Sequence, residues 1–128
     1  MNKIVLDASA ILAMLNDEPG AEKITAELLS RATVSAVNLA EVHTMLVREG
    51  GDPDESWTIA VDPIPDIEPF TAAQARIAGT LVKKTRSLGL SLGDRACLAL
   101  AIALEAPVYT TDRLWKKLTL GIPIHVIR

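Results

Sequence analysis

Four carboxylates stand where a chain of alternating strands and helices can do chemistry. Asp7 directly follows the apolar run Ile4-Val5-Leu6, and Asp112 directly follows Val108-Tyr109-Thr110-Thr111. Both runs read as short buried strands. Ligands of an open parallel sheet bind beyond the carboxyl ends of its strands, so these two acids meet at one edge if their strands are neighbours. Glu41 lies inside a helical stretch, 37–48, with apolar Val37 and Met45 four residues to either side. That setting predicts a part-buried carboxylate. Asp94 opens the most apolar helix of the chain, 91–104, which places it near the interior.

Each acid also has a purely structural use. Asp7, Asp94 and Asp112 each stand at the start of a helix or helical turn, where a carboxylate caps free N–H groups and suits the helix dipole. Ser9 can share the cap with Asp7, and Ser91-x-x-Asp94 has capping-box spacing. Glu41 can pair with a base such as Arg48. Taken singly, the three aspartates are better explained as caps. Taken together, four acids that converge without bases repel one another, and keeping them ionised requires a cation. Oxygen ligands alone select Mg2+ or Mn2+. Such a cation lowers the pKa of a bound water and stabilises the charge of an in-line phosphoryl displacement.

The elements that must position these acids can be read along the chain. Helices are predicted over 8–15, 21–30, 37–48, from Pro53 to the stop at Pro63 and Pro65, over 71–86, and over 91–104. Thr71-x-x-Gln74 supplies a capping-box signal for the fifth of these. Strands are predicted at 4–6, 33–35, 66–70, 108–110 and 122–127, with a helical turn or two over 113–118. Short apolar strands alternating with helices imply an α/β fold, a parallel sheet wrapped by helices.

Composition narrows the class. A chain of 128 residues, 49% apolar and 23% charged, is one globular domain with a real core, spanning 1–128. The single cysteine, Cys97, rules out an intrachain disulfide and fits a reducing compartment. With His43 and His125 it makes three soft or imidazole ligands, too few for a four-ligand zinc site. Apolar runs are too short for a membrane span, and Asp7 interrupts what would be the core of a signal peptide. A cytoplasmic protein without a membrane role is expected. Trp57, Trp115, Tyr109 and Phe70 are too few for a base-stacking sheet. Trp57 and Trp115 read as packing or interface anchors, and Cys97 as a small buried hydrophobe. The net charge of −3 is unevenly spread: residues 1–64 hold eleven acids and four bases, residues 65–128 five acids and nine bases. Such asymmetry marks either polyanion contact or a solvated surface.

The acidic segments resemble those of a known family. Val5-Leu6-Asp7-Ala8-Ser9-Ala10, Asn38-Leu39-Ala40-Glu41-Val42, Leu92-Gly93-Asp94-Arg95-Ala96 and Tyr109-Thr110-Thr111-Asp112-Arg113 look like the four acidic motifs of PIN domains, in the family's order. The stretch Gly93 to Ala101, with Leu114-Trp115 and Gly121-Ile122-Pro123-Ile124 after it, is similar to VapC-type toxins. The resemblance runs the length of the chain. It implies an α/β/α sandwich with strand order 3-2-1-4-5 and a Mg2+- or Mn2+-dependent endoribonuclease. Asp7, Glu41, Asp94 and Asp112 would be its catalytic and metal-binding acids, with Ser9 and Thr110 as supporting hydroxyls. It also implies RNA as substrate, a small VapB-type antitoxin as inhibitor, a homodimer, and products with a 5′-phosphate and a 3′-hydroxyl. Removing the four acids from the net charge of −3 leaves +1 on the remainder. Lys83, Lys84, Arg86, Arg113, Lys116 and Lys117 are then candidates for phosphate contact.

Other functions that place acids at strand ends fit less well. A receiver-type phosphoacceptor wants adjacent acids after the first strand, where this chain has Asp7-Ala8. A haloacid-dehalogenase-like phosphatase wants a second aspartate at the position of Ser9. An inactive PIN-like binding module and a housekeeping RNA-processing nuclease are the remaining alternatives.

Overall fold

A computed structural model describes residues 2–128. Five parallel strands, β1 (Ile4–Leu6), β2 (Ala32–Ser35), β3 (Asp66–Glu68), β4 (Val108–Thr110) and β5 (Ile124–Val126), form one sheet in the order β3-β2-β1-β4-β5. The chain winds outward from β1 to β3, then crosses back to build β4 and β5 on the other side. The switch therefore falls between β1 and β4, where Val5 pairs with Val108 and Leu6 with Tyr109. A crevice at such a point is where an open α/β sheet takes its ligand.

Strand alternation divides the core in two. Ile4 and Leu6 face a cluster with α1 (Ala8–Leu15) and α3 (Ala36–Arg48), through Ile11, Leu39 and Val42. Val5 and Val108 face the opposite cluster, with Leu81, Cys97, Leu98, Leu100 and Trp115. Most of that second layer is α7 (Leu92–Leu104), whose residues Ala96 to Ala101 are all buried. The helix is apolar on most sides because it lies against the sheet while α5 (Ala72–Thr80) covers its outer face. The remaining helices are α2 (Ala26–Leu29), α4 (Pro53–Val61) and α6 (Val82–Thr85).

Several elements are shorter than the sequence predicts. The helix expected over 21–30 is a 3-10 turn, Ala21–Lys23, followed by α2, because the Thr25 hydroxyl accepts from Leu28 N–H and starts a new helix there. The helix expected over 71–86 ends at Thr80 and restarts as α6. Thr80 and Thr85 each donate a hydroxyl to the carbonyl four residues earlier, Arg76 and Leu81, an arrangement that bends helices. Strands 66–70 and 122–127 shrink to β3 and β5, beside Pro69 and Pro123, which lack a ladder donor. The Thr71 box is half made: its hydroxyl accepts from Gln74 N–H, while the Gln74 side chain is buried.

Cys97 is buried and free, as expected. Trp115 is fully buried, whereas Trp57 is 46% exposed and packs edge-on against His43. No helix among the described residues is long and apolar enough to cross a membrane. Leu98 fills the layer beneath α7, so Leu98→Ala is expected to lower the unfolding free energy by about 2–5 kcal/mol in urea denaturation, and a loss below about 1 kcal/mol would contradict this packing.

Candidate active site

Asp7 is the first residue after β1 and is only 5% exposed. It occupies the N-cap position of α1, yet its side chain caps nothing. The cap expected from the sequence is replaced by a hydroxyl clamp. Ser9 Oγ donates to Asp7 Oδ2 at 2.6 Å, and Thr110 Oγ1 donates to the same oxygen at 2.9 Å. Each hydroxyl in turn accepts a backbone N–H from the exit of β4. Thr111 N donates to Ser9 at 3.0 Å, and Asp112 N donates to Thr110 at 3.1 Å. With those lone pairs engaged, both hydroxyl protons are directed at Asp7. The clamp also fastens the segment carrying Asp112 to the end of β1.

Burial pushes the Asp7 carboxyl up to about 6, the two hydroxyl bonds oppose that rise, and the negative charges of Asp94 and Glu41 add to it. Asp7, Asp94 and Glu41 also act together on the buried Cys97 thiol, which burial raises first. Three of the four acids thus share one electrostatic neighbourhood. None of the four takes part in an ion pair among the described residues. The pairing of Glu41 with Arg48 does not form.

Asp94 does cap its helix. Its Oδ2 accepts from Ser91 N at 2.9 Å, and Ser91 Oγ accepts from Asp94 N at 3.1 Å, a complete capping box. Asp112 caps the 3-10 turn Arg113–Lys117, with Oδ1 accepting from Leu114 N at 2.9 Å. Glu41 is exposed, against the expectation of partial burial, because Val37 and Met45 are themselves only half-buried and Ala40 and Thr44 beside it are exposed. Its Oε1 accepts from Asn38 Nδ2 at 2.8 Å. Each acid therefore commits one oxygen to the protein. The other oxygen (Asp7 Oδ1, Glu41 Oε2, Asp94 Oδ1, Asp112 Oδ2) has no protein donor among the described residues.

The donor chemistry fits Mg2+ or Mn2+: hard carboxylate oxygens, one free on each acid, and no thiolate or imidazole contributing. The spacing is open. Among the described residues, no three Asp, Glu, His or Cys side chains are placed to hold a metal ion by themselves. Mg2+ suits such a site, since it usually retains waters and takes only one or two carboxylates beside substrate phosphate.

The six basic candidates are all exposed, and none forms an ion pair among the described residues. Lys83, Lys84 and Arg86 lie on α6 and the turn after it, leading into the Ser91 cap. Arg113, Lys116 and Lys117 lie on the turn capped by Asp112, where Arg113 also holds the Arg128 carbonyl. Sequence reasoning misses two residues of the site. Asn38 is fully buried and joins Glu41 to the backbone carbonyl of Gly93. Gly93 has no side chain where a Cβ would fall on the Glu41 carboxylate. The three-residue spacing from Asn38 to Glu41 is the signal that marks the pair.

Comparison with known proteins places the chain. The family model for the PIN domain matches residues 4–119, and the chain belongs to that family. No curated protein matches the sequence significantly. Solved structures share the fold. VapBC2 from Rickettsia felis, bound to a DNA fragment from its promoter, is 20% identical with a TM-score of 0.74, over 94% of this chain and 96% of that one. DNA-bound VapBC from Salmonella typhimurium is 17% identical with a TM-score of 0.75, over 97% of both chains. Mycobacterium tuberculosis VapC20, described as a sarcin-ricin loop cleaving toxin, is 20% identical with a TM-score of 0.70, over 94% of this chain and 99% of that one.

The raised carboxyl of Asp7 gives a signed pH dependence. Its ordinary value is 3.8, so the unfolded chain loses this proton first as pH rises. On Asp7's account, native stability falls between about pH 4 and pH 6 and then levels off. Asp7→Asn removes that titration and still offers an oxygen to Ser9 and Thr110. In metal-free buffer its stability relative to wild type is expected to grow by on the order of 2 kcal/mol from pH 4 to pH 7. Urea denaturation across that range checks this, and a difference independent of pH would contradict it.

Proposed function

We propose that this chain is a Mg2+- or Mn2+-dependent endoribonuclease, the toxin of a VapBC-type toxin–antitoxin pair. The observation that carries the reading is buried Asp7, electrostatically coupled to Asp94 and Glu41 and tied through Thr110 to Asp112, with each of the four acids keeping one oxygen free and none in an ion pair among the described residues. Family membership and the fold of VapC20 support it. The full complement of acids weighs against an inactive binding module.

Asp7, Asp94 and Asp112 would hold the cation, one or two of them directly and the rest through water, with Glu41 reaching it directly or through water. When bound, the cation neutralises the acids and the scissile phosphate and makes water a better nucleophile. Glu41, exposed and with Oε2 free, is the acid suited to position that water or take its proton. Attack at phosphorus breaks the bond to the 3′ oxygen, leaving a 5′-phosphate and a 3′-hydroxyl. Ser9 and Thr110 keep Asp7 ionised and aimed, because both donate to its committed oxygen. The two basic segments would grip flanking phosphates. A small VapB-type antitoxin as inhibitor, a homodimer and a cytoplasmic setting complete the proposal. Structures of related fold include complexes with such antitoxins.

Cleavage of labelled RNAs with Mg2+, Mn2+ or EDTA tests this. Asp94→Asn and Asp112→Asn are expected to lose on the order of 100-fold or more in rate while remaining folded, since the amide still offers an oxygen to the cap. Cutting that persists in EDTA, or a variant with wild-type activity, would contradict the assignment. Removing the charge of Lys83, Lys84 and Arg86 together is expected to weaken RNA binding and flatten its dependence on salt, by about 0.7 in the log–log slope for each single-strand phosphate no longer neutralised. An unchanged slope would exclude that segment from the interface.

A further inference from the structure

Asn38 is buried without exposure, yet its carboxamide is engaged on only one side. Nδ2 donates to Glu41 Oε1 at 2.8 Å and to the Gly93 carbonyl at 2.9 Å. Both partners are acceptors, so the amide cannot be turned over without setting oxygen against oxygen. Its Oδ1 has no partner among the described residues. A buried amide with an unmet acceptor is an expensive way to fill space, and leucine would fill the same volume at less cost. The bonds it does make join α3 to the first turn of α7, the turn that ends in Asp94.

Glu41 needs that tie. It is exposed, has no ion pair among the described residues, and carries a long side chain that would otherwise sample many rotamers. Gly93 completes the seat, because a Cβ there would fall on the Glu41 carboxylate. We infer that Asn38 is a positioning residue that holds Glu41 against Gly93, beside Asp94, and that cation affinity depends on this tie. The inference rests on the metal-dependent reading proposed above.

Calorimetric titration with Mn2+ tests it in four proteins: wild type, Asn38→Leu, Glu41→Gln and the double variant. Outer-shell partners typically change metal affinity by about 10–100-fold, and Asn38→Leu is expected to weaken Mn2+ binding by at least about tenfold. In the Glu41→Gln background the same change is expected to cost less than about twofold, because the charge it positions is gone. An equal loss in both backgrounds would show a merely structural role and overturn the inference, as would unchanged affinity in Asn38→Leu. Wild-type protein that binds no Mn2+ would overturn this inference and the metal-dependent reading together. Should Asn38→Leu not fold, the wild-type protein carries the test by NMR. Mg2+ is expected to shift the Asn38 side-chain NH2 resonance, and a fixed resonance while other site residues respond would overturn the tie.

Discussion

A carboxylate at 5% exposure, with two other carboxylates close enough to raise its pKa, is the constraint on which the rest of this structure depends. Asp7 is carried to the switch between β1 and β4 by the shortest possible means, a three-residue strand that ends just before it. Burial alone would leave it neutral at moderate pH. Ser9 and Thr110 oppose this, and their own acceptors are filled by Thr111 and Asp112 N–H groups. The same bonds pull the end of β4 against the end of β1. Holding Asp7 and placing Asp112 are therefore one arrangement.

Capping and catalysis are often set against each other when an acid stands at a helix start. On the proposed reading, Asp94 and Asp112 do both by dividing their oxygens. One oxygen closes a capping interaction that fixes the side-chain direction, and the other is left free. The cap costs the site nothing in charge, because a carboxylate that accepts a backbone N–H remains an anion. It removes rotational freedom that a cation would otherwise have to freeze. Glu41, in mid-helix, accepts no backbone hydrogen bond among the described residues and obtains the same restraint from the Asn38 amide. The outcome is four acids with fixed directions and open spacing, a layout suited to a hydrated cation and a substrate phosphate arriving together.

Much of this is legible in sequence, for local reasons. Asp7 and Asp112 announce themselves as acids directly after apolar β runs, and the Ser91–Asp94 box is a four-residue pattern. The parallel sheet follows from alternation. The strand order comes from the resemblance of the four acidic segments to PIN domains and is not contained in periodicity. What stays hidden depends on distant partners. Ser9 and Thr110 as supporting hydroxyls also come from that resemblance, but nothing near Asp7 in the chain reveals that Thr110, more than a hundred residues on, bonds the carboxylate that would otherwise cap α1. Val37 and Met45 suggest a half-buried Glu41, but both are themselves only half-buried, and Ala40 and Thr44 beside it are exposed. The break at Leu81 escapes such a reading because threonine back-bonding is invisible to a pattern of apolar residues.

The central claim is that these acids are gathered to share one divalent cation. Crystals grown with Mn2+, with diffraction collected at the manganese absorption edge, test it most directly. The account predicts an anomalous peak bounded by free oxygens of Asp7 and Asp94, with Glu41 or Asp112 in its coordination sphere directly or through water. A peak elsewhere on the surface, or no peak with the four side chains in their present directions at saturating Mn2+, would contradict it.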